Sequence, residues 1–559
     1  MGYGFRISTP PHATYSQLPS VPLDPEASSP TSSTSTFTEP SASSSLKHPL
    51  LARCLPCSHR TRRRCVLLLI ATLLCTSVSA ILFFTPLPKY AVQLTAPIRF
   101  PPTYESYRER EEKLVRSVNG DPKVEPLRPG VKYFFPEKHV HGVGIGNAIQ
   151  ELFLNALVAH ASNRSFVWDD YTWSEDPEPY SQWGDNWIPS RIPLSVLIDG
   201  PMVGKPFPSG DYTPRAVTKS YFHEVCKELG GVQYLDTEEM NKDMWWDENY
   251  SVLDILNVWV EKLNSMDAAC VSTGGSTKVL WEYWFFGNRR YWPVWPILRD
   301  SPLITHFSWS PLVLLGIEAN KELLGLPRLP FFSDLQPPLS FSHSLSSIGL
   351  RALKDEQFDI IPGLLVLHVR RGDFSYHCDG LAHWGSDWQG IIQLATDGMP
   401  DTFEREKPTP EHWEEGKYET DVLPVYKRRC YPTIEQIVHR VREIRLEHPR
   451  LNRIYVMTNG KHDWLQELRL SLLIDSDSHF INVGSEEEVE ELKLEKWEEV
   501  KTSRDMILDW DQKHVSVSVD AAIAMRADVL IGNGWSSLSG DVIMLRMAKG
   551  VPRENNRLW

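Results

Sequence analysis

Two adjacent arginines, Arg370 and Arg371, are the side chains of this chain with the clearest chemical use. They follow the apolar run Leu364–Val369, which predicts a buried parallel strand. Ligands of open α/β sheets bind at the carboxyl ends of strands, and a guanidinium matches two phosphate oxygens without a metal. Gly372 permits a tight turn, and Asp373 can hold one arginine in place. The pattern indicates a phosphate or carboxylate site, with a surface ion pair as the alternative.

A second candidate site is a glycine-rich loop. Gly142, Gly144 and Gly146 let a ligand approach the backbone closely, and the loop enters a predicted helix over 147–161. A strand over 165–168 is predicted to follow. A loop of this kind can hold a phosphate or a sugar at the helix N-terminus, and tight helix packing is the alternative. The Lys-Ser/Thr that ends a P-loop is missing, so an ATPase of that class is excluded.

The third candidate site lies near the carboxyl terminus. Residues 519–526 predict a helix and residues 527–532 a short buried strand. The segment Asn533–Ser539 then predicts a turn into a further helix, with backbone amides and the hydroxyls of Ser536 and Ser537 at its N-terminus. Ordinary N-capping by serine is the alternative.

The elements before these sites indicate a membrane protein. Residues 65–84 carry neither charge nor proline, and twenty helical residues span about 30 Å, the thickness of a bilayer core. A cluster of four arginines within 60–64 precedes them, which predicts a signal anchor with residues 1–64 in the cytosol. The Ser/Pro/Thr-rich leader predicts disorder, and residues 85–130 predict a lumenal stem.

The remaining length and the charge restrict the rest of the chain. Roughly 430 residues exceed one core, so we expect two domains, at 131–355 and 356–559. The formal net charge of the chain is −14, and the leader is basic, so the rest of the chain is more acidic than this total. This acidic charge argues against nucleic acid as a partner.

Four cysteines follow the anchor, and an even number in an oxidising compartment allows two disulfides with three possible pairings. We predict that neighbours in sequence pair, 226 with 270 and 378 with 430. The sequons at Asn163 and Asn249 are compatible with a lumenal address. The Golgi membrane is the expected location, with the endoplasmic reticulum as the alternative.

These features form two halves, each with a loop at a strand end that can bind a ligand, and a predicted strand over 453–459 supplies a further loop. This layout is typical of GT-B glycosyltransferases, in which a nucleotide sugar lies between two Rossmann-like domains. Three motifs also resemble, in order, those of GDP-fucose-dependent fucosyltransferases, most closely the protein O-fucosyltransferases. They are the HxR(R)-like His368–Phe374, the amino-terminal signature over 144–149 and 161–167, and the third motif over 527–539.

The resemblance implies roles for individual residues. Arg370 matches the essential arginine at the β-phosphate, His368 lies beside the guanine nucleotide, and Asn147 lies near the transferred sugar and the acceptor. Arg371 has a supporting role, since only some members carry it. The other residues predicted to bind the donor are Asp528, Ser536 and Ser537, which match positions at the guanine and the phosphates, together with Gly144, Gly146, Asp373 and Asn533.

The implied reaction is an inverting transfer of fucose from GDP-fucose to a hydroxyl, with neither a metal nor another cofactor. Negative charge grows on the β-phosphate oxygen as fucose leaves, and a preorganised donor there contributes about 3–4 kcal/mol. Glu151, one turn after Asn147, is the candidate base, with Asp169 and Asp170 as others.

Several alternatives stay open at this stage. Asp-x-Asp spellings typical of metal-dependent transferases begin at Asp475 and Asp509, but they arise easily by chance in an acidic chain. The acceptor is a protein Ser/Thr or a glycan, and Trp384, Trp388 and Trp413 are candidates to stack on it. The rival functions are an α-1,2-type glycan fucosyltransferase, a transferase that uses another nucleotide sugar, and a Golgi lectin or pseudoenzyme.

Overall fold

The computed structural model describes most of the chain beyond its first hundred residues. The predicted tail, the predicted anchor and half of the predicted stem (85–98 and 121–129) lie outside the described residues. Within the described part, no helix combines the length and the apolar character needed to cross a bilayer. Residues 101–559 belong to one compact unit. The described residues are 99–120, 130–137, 139, 141–183, 186–245, 247–274, 279–282, 285–286, 289–340, 347–372, 374–393, 399–404, 408–477, 481–483, 490–492 and 496–559.

The helices range from single turns to four or five turns. In chain order they are α1 Glu105–Asn119, α2 Ile145–Ala161, α3 Leu194–Leu197, α4 Lys219–Glu228, α5 Thr237–Asn241, α6 Val252–Asn264, α7 Trp295–Asp300, α8 Pro302–Thr305, α9 Pro311–Ala319, α10 Ser347–Asp355, α11 Phe374–His383, α12 Gly390–Gln393, α13 Pro410–Glu414, α14 Leu423–Cys430, α15 Ile434–Glu447, α16 His462–Asp477, α17 Trp510–Lys513, α18 Ser516–Met525 and α19 Ser537–Ala548.

The strands are short except for one. They are β1 Tyr133–Phe135, β2 Ser165–Trp168, β3 Tyr171–Thr172, β4 Tyr180–Trp183, β5 Asn186–Pro189, β6 Arg191–Ile192, β7 Ile198–Asp199, β8 Val217–Thr218, β9 Gln233–Tyr234, β10 Cys270–Ser272, β11 Ser308–Trp309, β12 Ile361–Val369, β13 Arg453–Thr458, β14 Ile481–Val483, β15 Glu490–Leu492, β16 Glu499–Thr502, β17 Ala527–Gly532 and β18 Asn556–Leu558.

Two parallel five-stranded sheets organise these elements. The first has the strand order β8-β2-β1-β10-β9, and the second has the order β16-β13-β12-β17-β18. Every neighbouring pair in both sheets is parallel. The first sheet comes from residues before 273 and the second from residues after 360, and the division into two domains stays a prediction. The chain therefore has an α/β fold with two parallel sheets.

The long strand β12 places its side chains alternately on two faces of the second sheet. Leu365, Leu367 and Val369 pack with α15 in a cluster on one face. Leu364 and Val366 face the other way, into a core that both halves of the chain share. His368 follows them on this inner face because the side-chain period of a strand is two residues.

Most elements that the sequence predicts are confirmed, and the differences have local causes. Strands β2 and β17 have the predicted bounds, and α2 begins two residues early, at Ile145. Strand β12 begins three residues early, at Ile361, through an irregularity in its pairing with β17. Gly363 lies there with a φ of 77°, in a region that favours glycine.

Both predicted disulfides are present. Cys226–Cys270 joins α4 to β10 in the first half, and Cys378–Cys430 joins α11 to the end of α14 in the second.

Candidate functional site

Two helix N-termini meet in the structure. Helix α2 begins after the glycine-rich loop that follows β1, and α19 begins after the loop that follows β17. A Cβ atom on Gly146 would lie 2.7 Å from Ser537 Oγ and 2.8 Å from the backbone nitrogen of Leu538, so a larger residue would force the two helices apart. The amide end of each helix therefore lies beside the amide end of the other, and helix N-termini favour anions.

A buried glutamine stabilises the contact between the N-termini of α2 and α19. Gln150, one turn after Gly146, donates from Nε2 to the carbonyl oxygen of Ser537 at 3.2 Å and to Gln389 Oε1 at 3.3 Å. A Cβ atom on Gly540 would come within 3.0 Å of the same Nε2 atom. Gln150 is not among the site residues that the sequence motifs predict. Its only signal is a polar residue one turn after a glycine, on the helix face that meets α19.

Arg370 lies at the carboxyl end of β12, as predicted. Its guanidinium carbon is 4.8 Å from the ring centroid of Phe374, the first residue of α11, and the Phe374 ring is 4.9 Å from the His377 ring. Burial, and secondarily the charge of Arg370, lowers the pKa of His377 to about 4 and that of His368 to about 3. Both imidazoles are therefore neutral at neutral pH, and Arg370 is the cation of this group.

Ser539 connects β12 to the first turn of α19. Its Oγ lies 2.7 Å from His368 Nδ1 and accepts a hydrogen bond from the backbone N–H of Asn533 at 2.9 Å. The His368 carbonyl accepts a hydrogen bond from Trp559 Nε1 at 2.8 Å. Ser539 thus connects the Arg370 strand, the β17–α19 loop and the helix N-terminus. Ser539 belongs to the third sequence motif, in which Ser536 and Ser537 are the serines predicted to bind the donor.

The Arg371 side chain is held by contacts within the protein. Its guanidinium carbon lies 4.1 Å from the Trp464 ring and 4.5 Å from the Tyr431 ring, and Nη2 donates to the carbonyl of Pro432. Its backbone N–H donates to Asn459 Oδ1 at 2.7 Å. Burial lowers the pKa of Arg371 to about 10, so the side chain stays charged at neutral pH. The supporting role of Arg371 at the donor site stays a prediction.

The loop between β17 and α19 is built around Asn533. Its Nδ2 donates to the carbonyl of Cys430 at 2.8 Å, and its Oδ1 accepts from the backbone N–H of Trp535 at 3.0 Å. The side chain is fully buried, so it shapes the loop from inside. Ser536 is the N-cap residue of α19, yet its side chain makes no capping bond within the described helix. Simple capping therefore does not account for Ser536, and Ser537 is partly exposed beside it.

Asn147 and Glu151 lie on adjacent turns of α2 in different environments. Asn147 is partly exposed in the first turn, where its backbone N–H donates to the carbonyl of Gly144 at 3.0 Å. Glu151 has an exposure of 0 %, so an acceptor hydroxyl can reach it only if the groups that cover it move.

The other two candidate bases are paired with cations. Asp169 accepts from Lys219 Nζ at 2.8 Å, and Asp170 accepts from Arg108 at 2.7 and 3.1 Å. Burial nevertheless raises the pKa of Asp170, with Arg108 opposing that shift. Both carboxyls line a small cavity at the carboxyl end of β2.

Asp528 is not brought to the group around Arg370. It is the second residue of β17, and its Oδ2 accepts from the backbone N–H of Gly363 at 2.9 Å, near the start of β12. Four residues of strand, about 13 Å, separate it from Gly532 at the carboxyl end. Asp373 lies outside the described residues.

The first aspartate of each Asp-x-Asp sequence has another partner in the fold. Asp475 pairs with Arg442, and Asp509 caps α17 by accepting from the Gln512 N–H at 2.8 Å. In the part of the chain that the structure describes, no cluster of three or more His, Cys, Asp or Glu side chains could hold a metal ion.

Comparisons with known proteins give structural neighbours only. No protein-family model and no curated protein matches the chain. Solved structures of POFUT1 are similar to it. One in complex with GDP-fucose has a TM-score of 0.40 and 12 % identity, covering 78 % of this chain and 98 % of that chain. One in complex with GDP has a TM-score of 0.38 and 12 % identity, covering 77 % and 97 %. Similarity at this level does not establish a family.

Proposed function

We propose that the chain is an inverting glycosyltransferase that moves fucose from GDP-fucose to a hydroxyl acceptor without a metal, in a GT-B arrangement. The supporting observation is a chain of contacts at the carboxyl ends of the strands. Arg370 follows His368, His368 contacts Ser539 in the first turn of α19, and that turn packs against Gly146. A guanidinium and two helix N-termini together suit a diphosphate.

The chemistry of fucose transfer fits this electrostatic arrangement. The bond between fucose and the β-phosphate breaks with negative charge growing on the phosphate oxygen, and Arg370 supplies a fixed positive charge there. The helix amides add partial positive charge that needs no reorganisation during the reaction. His368 and His377 are neutral at neutral pH, so they do not add positive charges to the pocket that would repel Arg370.

The acceptor is proposed to be a Ser/Thr hydroxyl of a protein or a hydroxyl of a glycan. Its proton goes to a base during inversion, for which Glu151, Asp169 and Asp170 are the candidates. The site is proposed to work in the Golgi lumen, with residues 65–84 as the anchor. The two disulfides support an oxidising compartment.

Calorimetry on the purified full-length protein with EDTA present tests the donor. We expect micromolar binding of GDP and GDP-fucose, much weaker binding of UDP, and loss of GDP binding in Arg370→Ala. The matched control is Arg351→Ala, because Arg351 is an exposed arginine on α10 whose ion pair is with Asp355. Folded wild-type protein that binds no guanine nucleotide would overturn the proposal. Tighter binding of UDP would point to another donor, and glycan binding without any nucleotide binding would point to a lectin.

A further inference from the structure

We propose that the Cys378–Cys430 disulfide, with the Cys430–Pro432 segment that follows α14, is a positioning element for the donor site. This inference rests on the proposed function. The segment contacts the loop after β12 and the loop before α19, which flank the proposed diphosphate position. The disulfide joins the segment to α11, the helix whose residue Phe374 lies beneath the Arg370 guanidinium.

The first contact is with the loop after β12. The carbonyl of Pro432 accepts a hydrogen bond from Arg371 Nη2, and the ring centroid of Tyr431 lies 4.5 Å from the Arg371 guanidinium carbon. Arg371 is the immediate neighbour of Arg370, and its backbone is held from the other side by Asn459. Displacement of the segment would therefore remove two of the contacts that hold the Arg371 side chain beside the Arg370 loop and leave its contact with Trp464.

The second contact is with the loop before α19. The carbonyl of Cys430 accepts from Asn533 Nδ2 at 2.8 Å, while the other end of the same amide holds the Trp535 N–H. The backbone N–H of Asn533 donates to Ser539 in the first turn of α19. One carbonyl of the disulfide-bonded residue thus helps to set the conformation of the loop that leads to the helix N-terminus.

The third contact is the disulfide itself. Cys378 is one helical turn after Phe374, whose ring lies under the Arg370 guanidinium, and Phe374, Cys378 and Cys430 are all buried. The disulfide therefore joins α11, which carries Phe374 beneath Arg370, to the 430–432 segment. The carbonyls of that segment accept hydrogen bonds from Arg371 and Asn533. Without it, α11 and the 430–432 segment are joined only by non-covalent packing.

The other disulfide provides a matched control. Cys226–Cys270 closes a loop of 44 residues in the first half, and Cys378–Cys430 closes one of 52. Loop-closure entropy depends only logarithmically on length, so the two bonds constrain the unfolded chain to a similar degree. A purely structural role predicts similar effects of the two removals, whereas a positioning role predicts a difference in nucleotide affinity.

The test compares full-length wild-type protein with Cys378→Ser/Cys430→Ser and Cys226→Ser/Cys270→Ser. We expect both variants to have a lower Tm. At a temperature well below both transitions, calorimetry should show GDP affinity lowered about tenfold or more in the first variant and unchanged in the second. Equal GDP affinities in the two variants would overturn the inference.

A second readout separates this inference from the proposed function. Hydrogen exchange of the amides in 533–539 should be faster in Cys378→Ser/Cys430→Ser and unchanged in the control variant, whatever nucleotide the protein binds. If wild-type protein binds no GDP, the proposed function fails, and unchanged exchange would then refute the positioning role as well. If the 378/430 variant does not fold, Tyr431→Leu keeps the disulfide and should still weaken GDP binding several-fold. Unchanged GDP affinity in Tyr431→Leu would count against the inference.

Discussion

Replacing Gly146 by alanine should damage the donor site far more than the fold. The new methyl would lie 2.7 Å from Ser537 Oγ and 2.8 Å from the Leu538 backbone nitrogen. Ordinary contacts begin at 3.4 Å, so the backbone of α19 must retreat by about 3.4 − 2.8 = 0.6 Å. The methyl would also cover the Leu538 nitrogen, one of the first-turn amides expected to face the diphosphate.

The stability change should be small because two effects oppose each other. Alanine is favoured over glycine within a helix by about 1 kcal/mol, while overpacking costs about 1–3 kcal/mol. The unfolding free energy of Gly146→Ala should therefore fall by about 0–2 kcal/mol. Loss of one hydrogen bond to a charged phosphate costs about 1.5–3 kcal/mol, which lowers GDP affinity about 10- to 100-fold.

Gly316→Ala is the matched control for this prediction. Gly316 lies inside α9, and its added methyl would meet the Val519 Cγ2 methyl at 3.0 Å, a side-chain atom rather than helix backbone. Urea unfolding should show similar stabilities for the two variants, and calorimetry should show weakened GDP binding only in Gly146→Ala. If Gly146→Ala binds GDP as tightly as Gly316→Ala, the α2–α19 junction is not part of the donor site.

The remaining predictions concern the Ser539 hydroxyl, the buried carboxyl of Glu111 and the candidate base Glu151. Ser539→Ala should lower the free energy of unfolding by about 2 kcal/mol, since it leaves buried polar groups of His368 and Asn533 without their partner; stability unchanged in urea unfolding would contradict this. Burial raises the pKa of Glu111 to about 7. The folded state then keeps a proton that the unfolded state releases, so Glu111 should lower wild-type stability by about 3 kcal/mol as pH rises from about 4.5 to about 7, and the fall measured by urea unfolding across that window should be smaller by that amount in Glu111→Gln. If Glu151→Gln retains most of kcat at saturating acceptor, Glu151 is not the base.

Local sequence signals predict the elements well where apolar runs are bounded by turns. Strands β2 and β17 have their predicted bounds, and the disulfide partners are the cysteines nearest in sequence. The start of β12 was missed because apolarity does not reveal that the chain continues through Gly363 into the sheet. The parallel sheets follow from strands that alternate with helices.

The side-chain roles depend on tertiary contacts that spacing does not encode. Arg370 and Arg371 are adjacent in sequence and follow the end of β12, and only packing shows that Arg370 lies over Phe374 whereas Arg371 lies among Trp464 and Tyr431. Asp528 belongs to the same motif as Ser539, yet it lies near the amino end of β17, whereas Ser539 follows the carboxyl end of that strand. The role of Ser539 is recognisable only from the contact between its hydroxyl and His368 of β12.

The most direct test of the central claim is the slow hydrolysis of GDP-fucose to GDP and fucose, with water as the acceptor, by the full-length protein with EDTA present. The proposed function predicts that release continues in EDTA and falls about 10²- to 10³-fold in Arg370→Ala, while Arg351→Ala retains it. Release that stops in EDTA and returns with Mn²⁺, or that is unchanged in Arg370→Ala, would contradict a metal-free reaction centred on Arg370.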